Sequence, residues 1–139
     1  MNGTTRALVS GLAARIAAAG AGTYRPDGSA YRPDEVPITF GGLPATQGAA
    51  IALTPYDSVD DVGHDDRLVS VQVRMRSAGA DVRPLWDIAD QVFAALHNAS
   101  DYELDGVAVA WSARSITAPL GPDESGRYEQ ADSYQFQLT

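Results

Sequence analysis

The densest group of chemically active side chains lies in one acidic stretch, where His64 stands among five aspartates. A calcium loop of the EF-hand type needs acidic or amide side chains at alternate positions and glycine at the sixth. Counted from Asp57, the third and sixth positions are Val59 and Val62, and counted from Asp60 the third is Val62, so the template fails. A looser divalent-cation site remains an alternative to a solvated acidic loop. The aspartates concerned are Asp57, Asp60, Asp61, Asp65 and Asp66.

Other enzyme chemistries find little support in the residue types. The chain has no cysteine, which excludes a thiol nucleophile, thiolate metal ligands and disulfides. All ten basic residues are arginine, so a phosphate-binding loop would lack its lysine, and no serine lies in a G-x-S-x-G elbow. Asp87 and Asp90 could act as acid and base only if one were desolvated, and nothing in the sequence places them in a pocket. We therefore predict a non-enzymatic protein without cofactor or metal.

The charge balance argues against a nucleic-acid-binding protein. The net charge is −8, and the arginines are scattered rather than gathered into a basic patch. The amino-terminal apolar run is broken by Arg6 and Arg15, and it is too short to span a membrane. We expect a protein without membrane contact, and the lack of cysteine suits assembly in a reducing cytoplasm.

Two segments have helical periodicity. Leu8, Leu12 and Ile16 recur at four-residue spacing within 4–19, with Thr4 or Thr5 as the expected cap and Gly20 as the stop. The back of this helix is mostly alanine, which favours either helix propensity alone or a subunit contact. Residues 84–97 form the second helix, for which Asp81 is the expected cap. Its apolar positions are Leu85, Ile88, Ala89, Val92, Phe93 and Leu96.

Alternating apolar residues predict the strands. A short one is expected around 36–40, another from Ala49 to Pro55, the clearest over 67–76, and two more near 107–111 and 134–138. The order of strand pairs and single helices predicts an α+β fold, 1–139 as one domain, with an antiparallel (mixed) sheet and both helices on one face. Such a sheet leaves its other face and its edges available to neighbours.

A long Pro/Gly-rich loop, 20–47, follows the first helix and contains the repeat Tyr-Arg-Pro-Asp, seven residues apart. Exposed tyrosines with arginines are enriched in protein–protein contacts. Tyrosines folded back onto the core are the alternative. Candidate interface residues lie in this loop, in the acidic stretch and in the turn before the last strand. They are Tyr24, Arg25, Tyr31, Arg32, Asp57, Asp60, Asp61, Asp65, Asp66, Asp123, Glu124 and Arg127.

The order of these elements resembles the tail-terminator family of siphophages, whose members are also called minor capsid proteins. The resemblance spreads over some 130 residues, and no single element is specific alone. It is carried by Leu8, Gly11, Leu12 and Ile16, by Gly42-Leu43-Pro44 through Leu53-Thr54-Pro55-Tyr56, by the strand 71–76, by Leu96-His97, and by 120–127 followed by Tyr134.

The resemblance implies a structural protein of the virion, at the head–tail junction, that forms a ring, generally hexameric. Such a ring caps the tail tube, stops its polymerisation and joins the tail to the head connector, while genomic DNA passes through the lumen. Its implied partners are further copies of itself, the major tail tube protein and the head-side connector or stopper protein. Either the acidic stretch, 57–66, or the turn 121–127 is expected to face the lumen or a docking surface.

Two alternatives remain open at this point. One is another head–tail connector or tail-completion protein of the same virion. The other, from a different class, is a small metal- or ligand-binding α+β domain that uses the acidic stretch.

Overall fold

A computed structural model describes residues 3–45, 48–60 and 66–139. Two helices, α1 (Thr4–Ala18) and α2 (Arg83–Leu96), confirm the two helical predictions to within a residue or two. The strands are β1 (Ile38–Phe40), β2 (Ala50–Asp60), β3 (Arg67–Arg76), β4 (Ala99–Leu104), β5 (Val107–Pro122) and β6 (Tyr128–Leu138).

The six strands form one mixed sheet in the order β1-β2-β3-β6-β5-β4. β1 pairs with β2 in parallel, and the other four pairings are antiparallel. Alternate residues of the central strands, such as Val71, Val73, Tyr134 and Phe136, are fully buried beneath the helices. The predicted α+β fold with a mixed sheet is confirmed.

The sheet curls so that α1 contacts strands near both of its ends, β2 on one side and β4 on the other. The approach to β4 is close enough to require glycine in the helix. A Cβ atom built on Gly11 would lie 2.5 Å from the carbonyl carbon of Leu104 and 2.6 Å from the amide nitrogen of Asp105. Real Cβ atoms do not come this near to backbone, so Gly11 sets the distance between α1 and the β4–β5 turn.

The helix ends show one correct and one wrong prediction. Gly20, with φ +86°, follows α1, and its amide donates to Ala17 O at 3.0 Å while the Ala21 amide donates to Ile16 O at 3.3 Å. This Schellman arrangement confirms the stop at Gly20. The predicted threonine cap is wrong, because Gly3 precedes the helix and no side chain caps it.

At the start of α2, Asp81 accepts a hydrogen bond from the Arg83 amide at 3.0 Å, as a capping residue would, although Val82 is the last residue before the helix. The Arg83 guanidinium also donates to both carboxylate oxygens of Asp81. These hydrogen bonds lower the pKa of Asp81 to about 2.

Three strand predictions are corrected. Pro55 does not end β2, because a bulge between Pro55 and Asp57 lets the strand continue to Asp60. β5 runs through Pro119 to Pro122, again with bulges in its pairing to β6. β4 was missed altogether, so three strands rather than two follow α2.

The Asp105-Gly106 dipeptide was the available signal for β4. Both residues have positive φ, 49° and 83°, and Leu104 pairs with Val107 across them. A two-residue loop of this kind needs left-handed conformations at both positions, for which Asp-Gly is a favoured sequence. The hairpin could therefore have been predicted from this turn together with the apolar Tyr102 and Leu104.

Candidate functional site

The repeated Tyr-Arg-Pro-Asp segment folds against the rest of the chain instead of standing free. Tyr24 packs on the core and contacts Phe40 edge-to-face, with ring centroids 5.8 Å apart. The Tyr31 hydroxyl accepts a hydrogen bond from the Arg25 amide at 3.0 Å and donates one to the Ile38 carbonyl oxygen at 3.2 Å. Both tyrosines are thus half-buried, and they hold the loop beside β1.

Arg25 and Glu35 close the base of this loop. The Arg25 Nη2 atom lies 2.8 Å from both carboxylate oxygens of Glu35, and Glu35 also accepts the Arg32 amide. The hydrogen bonds from Arg25 lower the pKa of Glu35 below its ordinary value of 4.5. The Arg32 side chain stays exposed, 3.4 Å from an oxygen of Asp34.

We predict that Glu35→Gln lowers stability at neutral pH more than at acidic pH. A carboxyl group with a lowered folded-state pKa stabilises the protein above its unfolded-state pKa, and this stabilisation is lost as pH falls through the folded value. The difference in unfolding free energy between wild type and variant should therefore begin to decrease below about pH 4.5. Urea unfolding midpoints measured across the acidic range test this. Asp34→Asn, an exposed acid of the same loop, is the control, and a difference independent of pH would contradict the prediction.

The acidic stretch is divided by the fold. Asp57 and Asp60 lie on β2, where Ser58 donates its amide to Asp57 and its hydroxyl to Asp60. Asp66 lies just before β3 and is exposed. Asp61 and Asp65, together with His64, lie outside the described residues. Among the residues that the structure describes, no three histidine, aspartate or glutamate side chains are placed to hold a metal ion.

The turn between β5 and β6 is held by its own side chains. One carboxylate oxygen of Asp123 accepts hydrogen bonds from the amides of Ser125 and Arg127, at 2.9 Å each. The other oxygen accepts a hydrogen bond from Arg127 Nε at 3.0 Å. Gly126, with φ +79°, completes the turn. Of the three candidate residues here, Asp123 and Arg127 stabilise the turn, and Glu124 is exposed at its tip.

The alanine side of α1 is partly exposed. Ala14 and Ala18 face solvent, Ala17 is half-buried, and Ala13 lies in the core. A contact with a neighbouring subunit through this face stays a prediction.

The β4–β5 edge of the sheet carries features that oppose pairing with another strand. Asp101 and Glu103 are exposed on the edge strand β4, and Asp105 is exposed in the turn that follows it. The part of β5 beyond its pairing with β4 contains Pro119 and Pro122 and irregular register. Charges, prolines and bulges are the usual means by which edges are protected. Pairing of another strand with the β4–β5 edge is therefore a poor candidate for subunit contact. Contact through the β1 edge stays a prediction.

Sequence reasoning missed a buried polar cluster beneath the β5–β6 hairpin. Asp132 is fully buried and accepts hydrogen bonds from Thr117 at 2.6 Å and from Gln130 at 3.0 Å, while Arg114 lies 3.7 Å away. The neighbouring Tyr134 is also fully buried, and this burial, followed by the charge of Asp132, raises its pKa. Alternation in β6 predicted the position of Tyr134, but a buried aspartate gives no sequence signal.

None of the described helices is long and apolar enough to cross a membrane.

Comparison with known proteins adds two findings. Residues 15–139 match the family model described as "Bacteriophage tail terminator protein". The fold is similar to that of a chain in a solved structure titled "Virion of native gene transfer agent (GTA) particle", with a TM-score of 0.61 and 14% sequence identity, covering 73% of this chain and 77% of that one. At this identity the likeness shows the fold alone. No curated protein matches the chain in sequence.

Proposed function

The chain belongs to the bacteriophage tail terminator family, and from that premise we propose that it forms a ring that caps the tail tube. It is a structural protein of the phage tail, located in the virion, and this family suggests a structural rather than an enzymatic role. In our proposal, residues 1–139 act as one domain, a hexameric ring stops tube polymerisation, and its free face joins the tail to the head connector. The family match over residues 15–139 is the observation that carries the proposal.

The charge of the chain is compatible with a channel for DNA. Six copies at −8 each would carry a formal charge of −48. An acidic channel repels phosphates and keeps DNA from adhering as it passes. Asp57 and Asp60 are exposed and make no ion pair with a described residue, so we assign the β2 end that bears them to the lumen or to a docking face.

Particles assembled without this protein test the proposal directly. We expect overlong, continuously polymerised tails in electron micrographs, because nothing would stop growth of the tube. Tails of normal length that fail to attach to heads would contradict termination and would indicate a connector or tail-completion protein instead. Light scattering of the purified chain is the second measurement: six copies of the 14.7 kDa chain give about 88 kDa, alone or after tube binding.

A further inference from the structure

A groove of about 760 Å³ lies between the first half of α1, the loop from Tyr24 to Tyr31 and the edge strand β1. Its apolar lining includes Val9, Ile38 and Phe40. Phe40 pairs with the buried Leu53, so its ring belongs to the helix-covered face of the sheet, yet it is 46% exposed. The helices therefore leave a strip of this face uncovered. Part of the lining, from Thr5 to Ser10, precedes the region matched to the family.

The charge of the groove is opposite in sign to that of the chain. Arg6 and Arg25 line it, and no acidic residue is among the described residues that do so. Glu35 neutralises Arg25, whereas Arg6 is exposed and makes no ion pair with a described residue. The groove thus favours a large apolar side chain accompanied by a carboxylate.

The exposed side of α2 carries these two groups together. Trp86 is 54% exposed on the polar side of an otherwise strongly amphipathic helix. Asp90 follows it by four residues and Asp87 by one, so both acids lie within about 100° of Trp86 around the helix. Neither acid makes an ion pair with a described residue, and nearby Arg83 is bound to Asp81. Trp86 is not among the described residues that form the core or pack against it.

We propose that the groove of one subunit binds the Trp86 side of α2 from a second copy of this chain, with Arg6 facing Asp87 and Asp90. This inference rests on the proposed ring. The two surfaces are different parts of the chain, so the contact is heterologous and yields a ring when the rotation closes. Tryptophan, tyrosine and arginine, which meet here, are the residues that most often dominate binding energy.

The chain contains two tryptophans, which provide a matched pair of variants. Trp86→Ala should raise the concentration at which half the chains are assembled by at least about tenfold. Trp111→Ala, which removes a 39% exposed tryptophan of β5, should leave that concentration unchanged. In a Trp111→Phe chain the remaining Trp86 should shift its fluorescence emission to shorter wavelength as the ring forms, because the indole leaves water.

A charge exchange tests the pairing itself. Arg6→Glu should weaken assembly, and Asp90→Arg in the same chain should restore it. Arg32→Glu makes the same charge change at an exposed arginine that does not line the groove. The Asp90→Arg change should not rescue any assembly defect of that variant, and equal rescue would refute the pairing.

The outcomes separate this contact from the ring proposal. If the wild type forms rings and Trp86→Ala assembles equally well, or the charge exchange gives no rescue, the contact is refuted and the ring stands. A Trp86 emission shift that appears only with tail tubes, without self-association, would assign this side of α2 to the tube protein and would also refute the contact. A wild type that never assembles, with or without tubes, overturns both proposals.

Discussion

Gly11→Ala is expected to lower the free energy of unfolding by about 1–3 kcal/mol, the usual cost of forcing an extra carbon into a packed interior. The new Cβ would lie 2.5–2.7 Å from backbone atoms of Leu104 and Asp105. These atoms belong to the β4–β5 turn and cannot rotate away as a flexible side chain could. Either α1 moves off β4 or the turn moves, and each response loosens buried contacts around Leu8 and Leu12.

Helix propensity acts in the opposite direction but is the smaller effect. Alanine is favoured over glycine within a helix by about 1 kcal/mol. Because the new Cβ meets backbone that cannot rotate away, we expect a steric cost at the upper end of the range above, about 3 kcal/mol. The gain in helix propensity then leaves a net loss of about 2 kcal/mol. Gly11→Val, with two further carbons and a lower helix propensity, should cost more than Gly11→Ala.

Urea unfolding of the purified chain measures this effect, and Gly79→Ala is the matched control. A Cβ on Gly79 would meet nothing within 4 Å, and its φ lies outside the left-handed region. That variant should unfold at nearly the wild-type urea concentration. A Gly11→Ala protein as stable as the wild type would show that α1 and the β4–β5 turn are farther apart than described.

The elements that were predicted well are those whose burial follows a simple period. α2 buries Leu85, Ile88, Val92 and Leu96 at helical spacing, and β3 buries every second residue from Val69 to Met75. In both cases one side of a regular element faces the core, so local pattern and tertiary packing agree.

The elements that were predicted badly depend on neighbours that a local pattern does not contain. Proline normally ends a central strand, yet Pro55 and Pro119 lie where a bulge or an unpaired edge removes the need for an amide donor. β4 combines exposed acids with only two large apolar residues, Tyr102 and Leu104, so its pattern is too short to stand out. Its position is fixed by the Asp105-Gly106 turn and by contact with α1.

The candidate site shows the same division. The sequence identifies the tyrosines and aspartates as candidate interface residues, but it does not determine whether their side chains are exposed to solvent. The Arg25–Glu35 ion pair and the Tyr31 hydrogen bonds turn the repeated segment toward the core. The groove beside Phe40 exists because the two helices leave that strip of sheet uncovered, which is a property of the packed layers and not of any motif.

Asp132→Ala is expected to lower the free energy of unfolding by about 2–4 kcal/mol. Removing one member of a buried ion pair costs about 3–5 kcal/mol because the other charge remains without its partner. Arg114 is 29% exposed and can recover some hydration, which reduces the figure. Thr117 and Gln130 also lose their acceptor.

The variant series separates charge from hydrogen bonding. Asp132→Asn keeps an acceptor for Thr117 and should cost less than Asp132→Ala. The double variant Asp132→Ala with Arg114→Ala should cost less than the sum of the two single variants, since each single change leaves the other charge uncompensated. Chemical unfolding at neutral pH gives all four values, and Glu103→Ala, an exposed acid of β4, serves as the control.

The hydroxyl of Tyr134 gives an independent spectroscopic measure of the same cluster. Its pKa is raised first by burial and second by the negative charge of Asp132. Removal of that charge should therefore let Tyr134 ionise at lower pH in the folded Asp132→Ala protein, which ultraviolet titration can detect. A variant with wild-type stability and an unchanged tyrosine titration would mean that Asp132 does not hold the β5–β6 hairpin in place.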